Sequence, residues 1–218
     1  MTDVLDLGKV ELVDSMGDDI TVSNSARILF ENWRGEADEK LISYMLKHKH
    51  FSPFEHVAFT FYIKAPIFVM RQWMRHRTWS FNEVSGRYKE LPAEYYIPAK
   101  DKIGVQSTKN HQSRDIISSN PDADRIQDLI SYHSNMTFGD YQYLLSLGCP
   151  REVARMILPL NTYTELVATV KLRNLLEFFE LRSSPDAQYE IQVYSDAMKD
   201  LIKPIVPVTI SKWEELQK

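Results

Sequence analysis

Two short segments, far apart in the chain, constrain its fold most strongly. Residues 54–64 carry Phe54, Val57, Phe59, Phe61 and Ile63, and residues 162–172 carry Leu166, Ala168, Val170 and Leu172. In both, apolar and polar side chains alternate, the period of a strand with one face buried and the other wet. A third, shorter strand is expected at 9–14. The remaining patterned segments have helical spacing. Helices are expected at about 23–33 and 37–47, the second with Leu41, Ile42, Met45 and Leu46 on one stripe. Pro66 suits the first position of a helix running to about Arg77, and 79–98 reads as extended chain with turns.

Residues 99–123 are rich in Lys, Asn, Ser and Asp, and read as a polar loop, a lid or a disordered excursion. A long helix is expected over 124–147 with Gly148 as its C-terminal cap, then a short one opened by Pro150 and closed by Pro159. Short helical turns over 174–182 precede a last long helix, started by Ser183 or Ser184 with Pro185, whose Ile191, Tyr194, Met198 and Leu201 share a face. Strands and helices mix without a βαβ rhythm. The expected class is therefore α+β: a single domain over 1–218 with a small antiparallel-type sheet flanked by long helices.

The chain has 218 residues, a net charge of −4 and one cysteine, Cys149, which excludes an internal disulfide and fits a reducing compartment. No apolar run is long enough to span a bilayer, and the N-terminus lacks the layout of a signal peptide. A cytoplasmic protein without a membrane partner is the expectation. Mild acidity argues against coating nucleic acid, which needs a broad basic face. Histidines 48, 50 and 56 cluster without any metal signature, and no Gly-rich phosphate loop occurs, so no metal is expected.

Against this background, residues 71–89 hold five Lys or Arg and one carboxylate, Glu83, a local charge of +4. Such a concentration suggests a held anion, and a small one. Helical spacing places Arg71 and Arg75 on one face with Gln72 and His76 beside them. The adjoining Ile67, Phe68, Val69, Met70, Trp73 and Met74 suggest a mostly buried helix, whose arginines then need partners. That favours a functional anion over a solvated charged face. Glu83, Ser85 and Arg87 alternate, so in an extended backbone they point one way. They suit a polar heterocycle with a phosphate, or equally a wet Glu–Arg pair. Arg151, Arg155, Arg173 and Arg182 are individually ordinary. Cys149, between Gly148 and Pro150 with no base beside it, reads as a packing residue rather than a nucleophile.

Arg75-His76-Arg77, then seven residues, then Ser85 resembles the signature of the flavin-dependent thymidylate synthases. The likeness extends to His50-x-Ser52-Pro53-Phe54-Glu55-His56, Arg71-Gln72-Trp73, Pro150-Arg151-Glu152-Val153-Ala154-Arg155, Leu158-Pro159-Leu160-Asn161, Leu181-Arg182 and Ala187-Gln188-x-Glu190-Ile191, so roughly 9–200 is covered. The resemblance implies that family's fold and an enzyme making dTMP from dUMP. Methylenetetrahydrofolate supplies the one-carbon unit, FAD is the cofactor, and NADPH is the reductant. It also implies a homotetramer with inter-subunit sites.

By the same resemblance, Gln72, Arg75, Glu83, Ser85, Gly86, Arg87, Arg155 and Arg182 hold dUMP. Ser52, Glu55, Arg75, His76, Arg77 and Arg173 hold FAD, with Leu181 lining its pocket. His50 and Tyr88 lie near flavin and folate, and Arg182, Ser85 and His50 are the catalytic candidates. Three positions depart from the family: Lys171 stands where Asn is usual, Glu177 where Asn or His is usual, and Asp186 where His is usual. Lys171 and Glu177 either pair with each other or alter the contacts to flavin or folate. If the departures abolish cofactor binding, the rival is a non-catalytic nucleotide-binding protein of the same fold. An RNA-binding module using the Arg/Trp/Tyr cluster is a second rival.

Overall fold

The computed structural model describes residues 2–116 and 118–217. Its centre is the pair of alternating segments, now β3 (Ala58–Pro66) and β7 (Tyr163–Lys171), antiparallel along their whole length from Ala58↔Lys171 to Pro66↔Tyr163. In this register Phe59, Phe61 and Ile63 share a face with Leu166, Ala168 and Val170, and all six are buried. On the outer side of β3 lie β2 (Gly8–Met16) and β1 (Thr2–Val4), the latter not expected from the sequence because three residues are too few to show a period. On the outer side of β7 lies β4 (Ser80–Glu83). The order is β1-β2-β3-β7-β4, antiparallel throughout.

Among the described residues, eight α-helices accompany the sheet. They are α1 (Asp19–Arg27), α2 (Glu39–Lys47), α3 (Ile67–Trp73), α4 (Ala123–Ser146), α5 (Arg151–Ala154), α6 (Leu172–Arg182), α7 (Tyr189–Ile202) and α8 (Pro207–Leu216). All but α4 and α5 contribute to the core on its apolar face. Ile191, Tyr194 and Met198 of α7 and Leu172, Leu175, Phe178 and Phe179 of α6 join the strand side chains in the main core. A smaller core of Phe138, Tyr141 and Ala154 holds α4 against α5. Gly148, at φ +80°, ends the α4 segment as expected of a C-terminal cap.

Several boundaries differ from expectation for local reasons. The helix expected over 23–33 starts earlier, because Asp18 caps it by accepting from Thr21 N at 2.8 Å, and it ends at Arg27. Pro66 closes β3 instead of opening α3, and α3 stops at Trp73, short of Arg77. The segment 174–182 is continuous helix from Leu172, not short turns. The helix expected from Pro185 begins at Tyr189, and α8 follows it unforeseen. The 99–123 segment, whose position 117 lies outside the described residues, contains a small hairpin of β5 (Val105–Gln106) and β6 (Arg114–Asp115).

Candidate active site

The end of α3 and the end of α6 meet over an aromatic floor. Trp73 stacks on Phe178 with ring centroids 5.0 Å apart, and Trp79 lies 5.1 Å from the same ring. His76 meets the edge of Phe178 at 4.9 Å. Arg182 Nε–H donates to His76 Nε2 at 3.1 Å, and Arg182 Nη2 donates to the Gln72 carbonyl at 3.0 Å. Accepting from a guanidinium fixes the His76 tautomer, with its proton on Nδ1. Burial above all, and the Arg182 charge beside it, push the imidazole pKa down to about 4. The ring is therefore neutral at physiological pH. Gln72 Nε2 donates to Gln188 Oε1 at 2.6 Å, which brings in a residue of the Ala187-Gln188 motif for which the sequence suggests no role.

Expectation and structure diverge on the arginines of this segment. They are not buried: Arg71, Arg75 and Arg77 are exposed, because only Val69, Met70 and Trp73 face the core and the helix ends before Arg75. Among the described residues none of the three pairs with a carboxylate, so their charge faces solvent at the rim of the Gln72–His76–Arg182 group.

A second group lies at the far end of β4. Glu83 ends that strand and accepts from Thr164 Oγ1 at 2.6 Å. The chain then turns, with Tyr88 N donating to Ser85 O at 3.1 Å and Arg87 N to Ser85 Oγ at 3.3 Å. Ser85 and Arg87 are thus not on an extended strand with Glu83, as alternation suggested. The turn tucks Gly86 against the segment after α5. A side chain there would begin 3.2 Å from Arg155 Cδ, so glycine permits the close approach. Arg87 Nε sits 3.2 Å from Glu152 of α5. Tyr88 is exposed.

The third group spans the junction of β7 and α6. Arg173 Nη1 donates to Glu55 Oε1 at 2.6 Å, Lys171 Nζ lies 3.4 Å from Glu55 Oε2, and Arg173 Nε lies 3.6 Å from Glu177. Lys171 and Glu177 therefore do not pair with each other. Each pairs with a residue expected to hold flavin. Asp186, the third departure, accepts from Asn110 of the 99–123 segment at 3.3 Å. Ser52 is exposed and opens a 3-10 turn, whose Pro53 and Phe54 are buried, one turn before Glu55, and Leu181 is exposed beside Arg182. His50 is exposed, 5.8 Å from the Tyr44 ring.

These groups are arranged for a long, charged ligand. Arg173 and Arg182 sit nine positions apart on α6, about 13 Å along one rigid axis, and the free cations Arg75 and Arg77 stand beside its far end. Permanently charged planar donors at that spacing suit a dinucleotide with its pyrophosphate, and the donor set fits FAD. Cys149, by contrast, packs against the small core, and its thiol donates to the Pro150 carbonyl at 3.8 Å. Among the described residues no base is hydrogen-bonded to it.

The comparisons with known proteins agree. A family model described as thymidylate synthase complementing protein matches residues 11–208. A flavin-dependent thymidylate synthase from Ehrlichia ruminantium strain Gardel is 44% identical over 97% of this chain and 72% of its own length. One from Thermotoga neapolitana is 44% identical over 94% of this chain and 90% of its own. The chain belongs to the flavin-dependent thymidylate synthase family. Among solved structures, a UMP/dUMP methylase, PolB from Streptomyces cacaoi, bound with 5-Br dUMP, superposes with a TM-score of 0.87 at 35% identity. That match covers 98% of this chain and 97% of PolB. The 5-Br UMP complex of PolB gives 0.86 at 37% identity, over 95% and 94%. The α+β architecture is thus that of the flavin-dependent synthase family.

Proposed function

We propose that this protein makes dTMP from dUMP, with methylenetetrahydrofolate as one-carbon donor and a flavin, FAD, reduced by NADPH. The observation that carries the reading is the convergence of Gln72, His76 and Arg182. Residues from two segments over a hundred positions apart form one hydrogen-bonded unit, as an anionic pyrimidine site requires.

Methylation at uracil C5 needs an electron-rich carbon and a hydride. The flavin supplies the hydride when bound. The protein's own work is positioning and charge stabilisation. Arg182, partly desolvated and fixed by His76 and the Gln72 carbonyl, stabilises negative charge spreading onto the uracil oxygens. Neutral His76 can hold Arg182 by accepting, which a protonated ring could not. Arg75, Arg87 and Arg155 hold the phosphate, Glu83, Ser85 and Gly86 position the nucleotide, and Tyr88 and His50 face the folate side. Ser85 acts as a binding hydroxyl, since no base accompanies it. Ser52, Glu55, Arg75, His76, Arg77 and Arg173 hold the flavin, with Leu181 lining the pocket.

A homotetramer with shared sites explains a feature that one chain leaves unresolved. Within the chain, the nucleotide-holding candidates fall into two groups, and among the described residues no hydrogen bond or ion pair joins them. The extended stretch 80–84 alone puts about 13 Å between the Arg75–Arg77 rim and the Ser85–Arg87 turn. Two half-sites become whole when subunits pair. A surface suited to pairing exists on α4, where Leu129, Tyr132, Met136 and Tyr143 are exposed at coiled-coil spacing while only Ser134, Phe138 and Tyr141 are buried.

The direct experiment is release of C5 hydrogen from labelled dUMP, with folate donor, FAD and NADPH each omitted in turn. Release from the complete mixture supports the reading, and its absence with folded, flavin-loaded protein refutes it.

A further inference from the structure

Gln72 has a side chain that can be presented to a ligand in two opposite ways. Its amide ends in an acceptor and a donor of nearly the same shape, and only the neighbours decide which one faces outward. Those neighbours form a chain of one polarity. Glu190 is 1% exposed, and its Oε1 accepts from Arg114 at 2.7 Å and from Tyr96 Oη at 3.1 Å. Paired with a guanidinium, this carboxylate can only accept. Its Oε2 therefore takes Gln188 Nε2–H at 2.9 Å, which turns the Gln188 carbonyl oxygen outward. That oxygen takes Gln72 Nε2–H at 2.6 Å. Reversing either amide alone would set oxygen against oxygen. The buried acid thus dictates the orientation of Gln72, and among the described residues nothing donates to Gln72 Oε1.

We propose that Glu190 and Gln188 are positioning residues for the nucleotide. They hold the Gln72 amide with its carbonyl oxygen toward the substrate, where it accepts from an N–H or O–H of dUMP. The inference rests on the functional reading above and adds to it two residues that act through Gln72. A deoxyuridylate offers two such donors, the imide N3–H and the sugar 3′-hydroxyl. Arg182 favours the first. Its Nη2 sits on the Gln72 backbone carbonyl at 3.0 Å, so a guanidinium donor and an amide acceptor lie together. A uracil edge, with a carbonyl next to an N–H, complements that pair. Cytosine, whose N3 carries a lone pair, would meet the Gln72 oxygen with another acceptor.

The isosteric change Glu190→Gln reverses the chain. The Arg114 cation keeps the new carbonyl oxygen at the Oε1 position, so an amide NH2 faces Gln188. Gln188 turns over to accept, and Gln72 turns over in response and shows the ligand its NH2 instead. Nothing changes size.

The test measures equilibrium binding of dUMP, dCMP and 2′,3′-dideoxyuridine monophosphate to the flavin-loaded protein, as wild type, Glu190→Gln and Gln188→Met. dCMP lacks the N3–H at nearly the same shape, and the dideoxy nucleotide lacks only the 3′-hydroxyl. In Glu190→Gln, dUMP should bind about tenfold more weakly, and the preference for dUMP over dCMP should narrow by about tenfold or more. Gln188→Met cuts the chain at an exposed residue and leaves the Glu190 pairs with Arg114 and Tyr96 in place. It should narrow the same preference by a smaller factor, since Gln72 is then free to turn. Narrowing against the dideoxy nucleotide instead supports the inference with the hydroxyl as donor. Both preferences unchanged in the two variants overturn it, even where dUMP affinity has fallen, because a merely structural carboxylate weakens all three nucleotides alike. Wild-type protein that binds none of the three overturns the functional reading itself.

Discussion

The Arg114 guanidinium lies 2.7 Å from the Glu190 carboxylate, tying the polar 99–123 segment to the start of α7. Glu190 is 1% exposed and also accepts from Tyr96 Oη at 3.1 Å and Gln188 Nε2 at 2.9 Å. Gln188 in turn accepts from Gln72. A buried carboxylate thus links the hairpin to the C-terminal end of α3.

Removing the cation should leave that carboxylate buried with neutral donors only. Arg114→Ala is expected to cost about 2–3 kcal/mol, below the full penalty of a broken buried pair because two donors remain. Urea unfolding measures the loss. Limited proteolysis should cut first between 105 and 116 in the variant. Glu190→Gln, which removes the charge and keeps the shape, should cost less.

His76 gives the fold a pH dependence. Its folded pKa of about 4 lies below the ordinary 6.5, so between those values the unfolded chain binds a proton that the folded chain does not. The contribution is whole above 6.5 and is lost as pH falls toward 4. Urea midpoints should therefore decline across that window, and His76→Gln should flatten the decline. An identical decline in the variant would place the effect elsewhere.

Arg87 stands at the exposed turn, its side chain paired among the described residues with Glu152 alone, so its exchange for lysine should leave stability unchanged within about 0.5 kcal/mol. The dUMP requirement should nevertheless rise about tenfold or more, because a bidentate donor becomes a point charge. Saturation curves at fixed folate and NADPH decide this, and an unchanged KM for dUMP contradicts the assignment.

If Cys149 only packs, Cys149→Ala should retain most turnover. Complete loss in a protein that still unfolds cooperatively would restore a thiol to the chemistry.

The α4 seam predicts the outcome of Met136→Glu. A carboxylate there should break self-association, seen as a smaller sedimentation coefficient, and C5-hydrogen release should fall with it if, as proposed, each site draws on two subunits. Monomer with full activity would refute shared sites.

The sheet was legible early. Alternation in 54–64 and 162–172 marks Phe59, Phe61, Ile63, Leu166, Ala168 and Val170 as one buried face, and they are. Element ends were less so, since caps and short strands are decided over two or three residues. Asp18 begins α1 by one hydrogen bond, and β1 is ordered by pairing Thr2–Val4 with Val10–Gly8. The signature residues could be named from their spacing, but their burial could not. Arginines beside Val69, Met70 and Trp73 were expected inside, and the helix ended too soon to carry them there.

By itself, then, the sequence determined the strand faces, the family and the list of polar groups, because periodicity and motif spacing are local properties. Only tertiary structure decided which of those groups meet. It set Arg182 against His76, gave Lys171 and Glu177 separate partners, and split the proposed nucleotide-binding residues between two places. Those outcomes depend on how α3, α6 and β4 pack around the β3–β7 pair, a matter of contacts between positions more than a hundred residues apart that no local pattern encodes.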